Sequence, residues 1–85
     1  MNYEKGQLMA ACVNGFTGDY RIVEIETVEG GHYGFGRWGD GPMRAVYLDF
    51  RDCVHVNDPP WQKGDELSDD EFNSLGGNNF KSHRL

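Results

Sequence analysis

The stretch from Tyr20 to Val28 constrains the fold most, because its alternating pattern fits an extended strand and little else. It is rich in β-branched side chains, which favour strands. Val23, Ile25 and Thr27 are predicted on one face, and Ile22, Glu24 and Glu26 on the other. Glu29-Gly30-Gly31 then supplies a turn, and residues 32–38 alternate again. The two runs together predict a β-hairpin.

The middle of the second arm of this hairpin carries side chains on one face only. Tyr33, Phe35 and Arg37 share that face, whereas Gly34 and Gly36 occupy the other with His32 and Trp38. Glycine inside a strand is typical of a bend, a bulge or the close approach of another backbone. We therefore expect the sheet to bend here.

Three more segments are predicted to be strands. In residues 43–50, Val46, Leu48 and Phe50 fall on one face and Ala45, Tyr47 and Asp49 on the other. After an interruption at residues 51–53, a short strand containing Val54 and Val56 ends before Pro59-Pro60. Residues 7–13 are interpreted as a strand, although several of them favour a helix about equally.

These segments predict a mainly β fold, a small antiparallel sheet of four or five strands with one short C-terminal helix. A flat sheet of this size would leave an apolar face in water, so it must bend or close. The glycine-bearing hairpin followed by strand, tight turn and strand resembles the SH3-like or Sm-like barrel plan over residues 7–57. The resemblance lies in architecture alone and implies a small barrel. The alternative is an open antiparallel sheet capped by the terminal segments.

The chain is predicted to be one domain with a β-rich body, residues 1–60, and an acidic C-terminal appendage, residues 61–85. A chain of 85 residues supports only one thin core. Ser68 with Glu71 forms a capping box, and Leu67 with Phe72 a hydrophobic staple. They predict a helix over about residues 69–75, ended by Gly76-Gly77 and followed by a mobile tail. A helix this short needs a surface to pack on, provided by this chain or by a partner.

Negative charge is concentrated near the C-terminus. The chain has 14 acidic and 8 basic residues, a net charge of −6. Residues 57–75 contain six acids and one lysine, which leaves five of those six net charges in this segment. No basic stripe is available for phosphates, so direct nucleic-acid binding is disfavoured. Because there is neither an apolar run of membrane-spanning length nor a signal-peptide pattern, we expect a cytoplasmic protein.

Metal binding and catalysis find little support in the sequence. Cys53 and His55 share a strand face, and Cys12 and His32 are conceivable further zinc ligands, but only one pair is close in sequence. We therefore predict no metal and no cofactor, with both cysteines as buried reduced thiols. The histidines lack neighbours typical of a nucleophile and its base, so no catalytic residue is predicted and an enzyme is not expected.

Aromatic and acidic residues instead indicate a protein-binding surface. Tryptophan, tyrosine and arginine dominate interface energetics, and acidic patches engage basic surfaces. We predict a small acidic regulator or inhibitor, of the kind that phages encode, which occupies the basic nucleic-acid-binding surface of a larger protein or complex. In the alternative, the two tryptophans close the ends of the barrel. The predicted binding residues are Tyr33, Phe35, Arg37, Trp38, Trp61, Asp65, Glu66, Asp69, Asp70 and Glu71.

Two other functions make different structural demands. A single-stranded nucleic-acid-binding barrel would need aromatic and arginine side chains together on one exposed face. Its residues would be Tyr33, Phe35, Trp38 and Tyr47 for stacking, and Arg21, Arg37, Arg44 and Arg51 for phosphates. A homo-oligomeric structural or assembly subunit would need an apolar patch or an unpaired edge strand.

Overall fold

The computed structural model describes residues 2–14 and 18–76, and its fold is mainly β with one short C-terminal helix, as predicted. Within those ranges it has six strands, one α-helix and two 3-10 turns. The strands are β1 (Leu8–Cys12), β2 (Tyr20–Glu29), β3 (Tyr33–Arg37), β4 (Ala45–Asp49), β5 (Val54–Val56) and β6 (Glu66–Leu67), and the helix is α1 (Asp69–Ser74). The 3-10 turns, Pro42–Arg44 and Phe50–Asp52, precede and follow β4.

All strand pairs are antiparallel and form one sheet in the order β4-β3-β2-β1-β5. β6 lies outside this path and pairs with the start of β2, where Tyr20 opposes Leu67. β4 and β5 stand at the two ends of the order. Within the part of the chain that the structure describes, the paired strands are therefore an open sheet and not a closed ring.

The sheet bends around a first apolar cluster. Met9 of β1 and Leu48 of β4 belong to this cluster although β2 and β3 lie between their strands. In a flat sheet, strands three positions apart would be separated by about 14 Å, too far for shared packing. The other buried members are Ala11, Val23, Ile25 and Phe50. We call the face toward this cluster the inner face and the opposite one the outer face.

Gly34 and Gly36 permit this bend, as the sequence predicts. A Cβ atom on Gly34 would lie 2.1 Å from the carbonyl oxygen of Thr27 and 2.7 Å from the ring of Phe50. On Gly36 it would lie 2.9 Å from the Leu48 side chain. Both distances to Gly34 are shorter than carbon contacts in real structures, so only glycine lets β3 approach its neighbours this closely.

A bulge in β2 overturns one predicted face. Ile25 opposes Gly36, but Thr27 opposes Phe35, which means that the register shifts between them. The extra residue moves Thr27 from the predicted inner face with Val23 and Ile25 to the outer face, where it is exposed. Because a bulge inserts one extra residue, the residues after it lie on the opposite face from the one that simple alternation predicts.

The C-terminal helix packs on the outer face of this chain's own sheet. Phe72 is fully buried and stacks on Tyr20 of β2, with ring centroids 4.2 Å apart. Leu67, Ala10 and Ile22 complete this second buried cluster. The capping box is present, because the Glu71 amide donates to the Ser68 hydroxyl at 3.1 Å and the Ser68 amide to the Glu71 carboxylate at 2.9 Å. The segment after the prolines thus supplies part of the core.

Several predicted boundaries need correction. β4 begins at Ala45 and not at Met43, because Pro42, with its fixed φ, opens a 3-10 turn instead. β6 was not predicted, since two residues carry no periodicity. The helix ends at Ser74, just before Gly76 with its φ of 97°. Gly77 and the predicted mobile tail lie outside the described residues. No helix in the described ranges has the length and apolarity to cross a membrane.

Candidate protein-binding surface

The outer face of the sheet is divided into a covered half and an open half. In the covered half, Tyr20 and Ile22 of β2 are buried against Phe72 of α1 and Leu67 of the adjacent strand β6. Beyond the bulge, the outer face consists of the end of β2 together with β3 and β4. No described helix packs on this second half, and its large side chains are therefore accessible.

Three aromatic rings cover the open half, and we call Tyr33, Phe35 and Tyr47 the aromatic surface. The rings of Phe35 and Tyr47 meet edge to face with centroids 4.9 Å apart, and those of Tyr33 and Tyr47 are stacked at 6.1 Å. Register explains the cluster, because Phe35 directly opposes Tyr47 in the β3–β4 pair. Phe35 is 39% exposed and Tyr47 54% exposed. The remaining aromatic rings of the described residues lie in or against the two apolar clusters.

An ion pair fixes one end of the aromatic surface. Arg51 donates to both carboxylate oxygens of Asp49, at 3.0 and 2.7 Å, and to the hydroxyl of Tyr33 at 2.9 Å. These hydrogen bonds from Arg51 lower the pKa of the Asp49 carboxyl below its ordinary value. The same contacts raise the pKa of Arg51. Tyr33 is thereby held at a defined position beside a charged pair.

Arg37, a predicted binding residue, lies at the opposite end of β3. Its guanidinium forms an ion pair with Glu26 at 2.9 Å and donates to the carbonyl of Gly41. The pair is part of the bulge region of β2. Arg37 therefore borders the aromatic surface while its charge is already neutralised.

Trp38 and Trp61 are each partly buried, not fully exposed. Trp38 packs against the first cluster, and the guanidinium carbons of Arg21 and Arg44 lie 4.4 and 4.5 Å from its ring centroid. These are cation–π distances. Trp61 packs against the second cluster. Inward alternation in β3 accounts for the position of Trp38, which follows Gly34 and Gly36 on the inner face.

The predicted acidic residues lie in or directly before β6 and α1, and most of them also make local contacts. Glu66 pairs with Arg21 at 3.2 Å, and the Asp65 carboxylate accepts from the Gln62 amide at 2.9 Å. Glu71 belongs to the capping box, and Asp69 is partly buried. Asp70 is exposed, and its position in the first turn suits a negative charge. The acids therefore border the covered half of the outer face.

The cysteines and histidines do not gather into a metal site within residues 2–14 and 18–76, where no group of three metal-ligating side chains occurs. Cys12 and Cys53 form no disulfide with each other, and each is partly buried as a residue. Burial raises the pKa of Cys53 to about 12, and its thiol donates to the Asp49 carbonyl at 3.4 Å. His55 stacks on Tyr3, with centroids 5.5 Å apart. Cys53 is thus a protonated packing residue.

Comparison of the chain with protein-family models, with curated proteins and with solved structures found no match. The structure brings together Tyr33, Phe35 and, at their border, Arg37 from the predicted binding set, and it separates them from Trp38 and Trp61. Tyr47 and Met43, which is 84% exposed, were missing from that set. Alternation in β4 is the sequence signal for Tyr47, since it places this side chain on the face of the strand that does not carry Val46 and Leu48.

Proposed function

We propose that this protein is a small acidic protein-binding regulator, acting in the cytoplasm, that binds a larger protein through the aromatic surface. The observation that carries the proposal is the exposed cluster of Phe35 and Tyr47 beside Tyr33 on the uncovered half of the sheet. Large aromatic side chains are enriched in the centres of protein interfaces. A fold of this size leaves them in water at a cost that binding removes.

The acidic segment supplies the complementary charge for a basic target. Five of the six net negative charges lie in residues 57–75, the segment that contains β6 and the helix α1, whose Phe72 packs on the other half of the same outer face. Such charges speed encounter with a basic partner and exclude acidic ones. A nucleic-acid-binding protein is a partner of this kind, and occupation of its basic surface would make this chain an inhibitor, as in the phage proteins considered above.

The arginines favour a protein partner over direct binding of single-stranded nucleic acid. The common aromatic face that base stacking requires is present, formed by Tyr33, Phe35 and Tyr47. Most of the arginines that would contact phosphates, however, already pair with carboxylates of this chain. Arg21, Arg37 and Arg51 all form ion pairs with carboxylates of this chain. Only Arg44 lacks a carboxylate of the described residues within ion-pair distance. Phosphate contacts supply most of the affinity for nucleic acid, so their loss weakens that alternative.

The proposal is tested by capture from lysates of the source cells with paired variants. Phe35→Thr and Tyr47→Thr remove the aromatic rings but keep a residue that favours strands. Val28→Thr is the matched control, because Val28 is 40% exposed at the same end of the sheet but opposes Gly34 on the inner face. A protein captured by the wild type and by Val28→Thr, but lost with both aromatic variants, supports the proposal. Nuclease-sensitive capture, or equal capture by all three variants, contradicts it.

The contribution of charge has its own pair of variants. Asp70→Asn removes an exposed acid of the C-terminal segment, and Glu4→Gln removes an exposed acid elsewhere with the same change in net charge. With the captured protein purified, we expect Asp70→Asn to weaken binding about twofold to fivefold, within the range of an exposed charge pair. The loss should shrink at high salt. Equal effects of both variants would show that net charge alone matters.

A further inference from the structure

Strand β4 is the longest unpaired edge among the described strands. It ends the sheet order on one side and pairs only with β3, in a regular register without a bulge. β5 ends the other side but has three residues. Natural proteins protect free edges with proline, lysine, bulges or very short strands. β4 reads Ala-Val-Tyr-Leu-Asp and has none of these devices within it.

The hydrogen bonds flanking β4 show which of its backbone groups face outward. The Trp38 amide donates to the Arg44 carbonyl, and the Phe50 amide donates to the His32 carbonyl. These two pairs continue the β3–β4 register at its two ends, and both are of the hydrogen-bonded kind. Hydrogen-bonded and non-hydrogen-bonded pairs alternate along an antiparallel ladder. Counting along the ladder, Ala45, Tyr47 and Asp49 fall in the non-hydrogen-bonded pairs with β3. Their amide and carbonyl groups therefore point away from β3 to the edge, where the Asp49 carbonyl also accepts from the Cys53 thiol.

We propose that β4 binds the β4 strand of a second copy of this chain, antiparallel and across a two-fold axis at Tyr47. In this register Tyr47 opposes its own symmetry mate, Val46 opposes Leu48, and Ala45 opposes Asp49. The alternate residues thus place aromatic rings against aromatic rings on the outer face and aliphatic side chains together on the inner face. No two like charges lie directly opposite, an arrangement that would destabilise the pair.

Charge also favours a second copy at this edge. Residues 37–51 contain three arginines and two aspartates, whereas residues 57–75 carry a net charge of −5. This acidic segment contains β6, which pairs with the start of β2, and α1, which packs on the covered half of the sheet away from β4. Two copies joined at β4 keep their acidic segments on the far sides, and at physiological salt repulsion is largely screened beyond about 8 Å. The dimer would also set two aromatic surfaces side by side.

Sedimentation equilibrium of the purified full chain over a wide concentration range is the first test. We expect a reversible monomer–dimer equilibrium. Tyr47→Lys places two like charges on the axis and should abolish the dimer, whereas Met43→Lys adds the same charge at a more exposed, off-axis position and should retain it. A wild type that stays monomeric throughout overturns the proposal, as do assemblies larger than a dimer, which indicate pairing of β4 with a different edge. Thermal melting confirms that each variant is folded.

Cysteine cross-linking tests the register itself. In a hydrogen-bonded pair the two copies of residue 47 have Cα atoms about 5.5 Å apart, within the span of a disulfide. The two copies of residue 43 would be separated by more than about 20 Å along the strands. In a common Cys12→Ala background, Tyr47→Cys should therefore cross-link more completely under mild oxidation than Met43→Cys, although Met43 is the more exposed. Equal cross-linking, or more at position 43, overturns the proposal.

This inference does not rest on the proposed function. Loss of the dimer in Tyr47→Lys is measured without any other protein, and Phe35→Thr tests partner binding away from the axis. A dimer without a partner, or a partner bound by a monomer, would therefore identify which of the two proposals fails.

Discussion

Phe72→Ala should destabilise the whole protein, because Phe72 joins the C-terminal helix to the sheet. Its side chain is fully buried and stacked on Tyr20 at 4.2 Å. Truncation of a buried phenylalanine to alanine costs about 3–5 kcal/mol. In a domain of this size, 1 kcal/mol lowers Tm by about 4–8 °C. We therefore expect Tm to fall by at least about 12 °C.

The assay is urea unfolding followed by tryptophan fluorescence, with thermal melting beside it. Asn73→Ala is the matched control, because Asn73 is the next residue of the same helix and is exposed. A surface change of this kind alters the free energy of unfolding by about 0.5 kcal/mol or less. If Phe72→Ala were no more destabilising than Asn73→Ala, the helix would not belong to the cooperative fold, and the second cluster would be wrong.

Three further predictions follow from local contacts. Gly34→Ala should lower the free energy of unfolding in urea by at least about 2 kcal/mol, because its Cβ would meet a carbonyl oxygen at 2.1 Å. Gly31→Ala, whose Cβ would have nothing within 4 Å, should lower it far less. Equal losses would contradict the close approach of the strands. In an NMR titration the pKa of Asp49 should lie below its ordinary value and rise in Arg51→Gln. The stabilisation from this pair is present at neutral pH and is lost as the pH falls through the lowered pKa of Asp49; an unchanged Asp49 pKa in Arg51→Gln would contradict the pairing. Cys53, whose pKa burial raises to about 12, should resist iodoacetamide at pH 8 until the protein unfolds; alkylation of native protein would show that it is accessible.

The strands that the sequence predicts well are those with unbroken alternation. Residues 45–49 alternate throughout, residues 20–25 alternate up to the bulge, and the glycines of β3 indicate the bend. The helix was predictable because its capping box and staple are local, side-chain features. β6 was not, because a two-residue strand is defined by its partner and not by its own pattern.

The aromatic surface was only partly predictable, because its exposure depends on what covers the outer face. Alternation placed Tyr33, Phe35 and Arg37 together, but no local signal shows that α1 packs over Tyr20 and leaves these three uncovered. The position of Trp38 illustrates the same limit. Its exposure depends on contacts with distant arginines and with the first cluster, which sequence spacing does not encode.

Site-specific photocrosslinking at position 35 tests the central claim, that the aromatic surface binds a protein, most directly. A benzoylphenylalanine at position 35 retains an aromatic ring on the open half of the outer face, and the same residue at the exposed position 57 provides the control. We predict that irradiation in lysate of the source cells attaches one protein of defined mass at position 35 and none at position 57. Attachment at both positions alike, of nucleic acid only, or at neither position would contradict the claim.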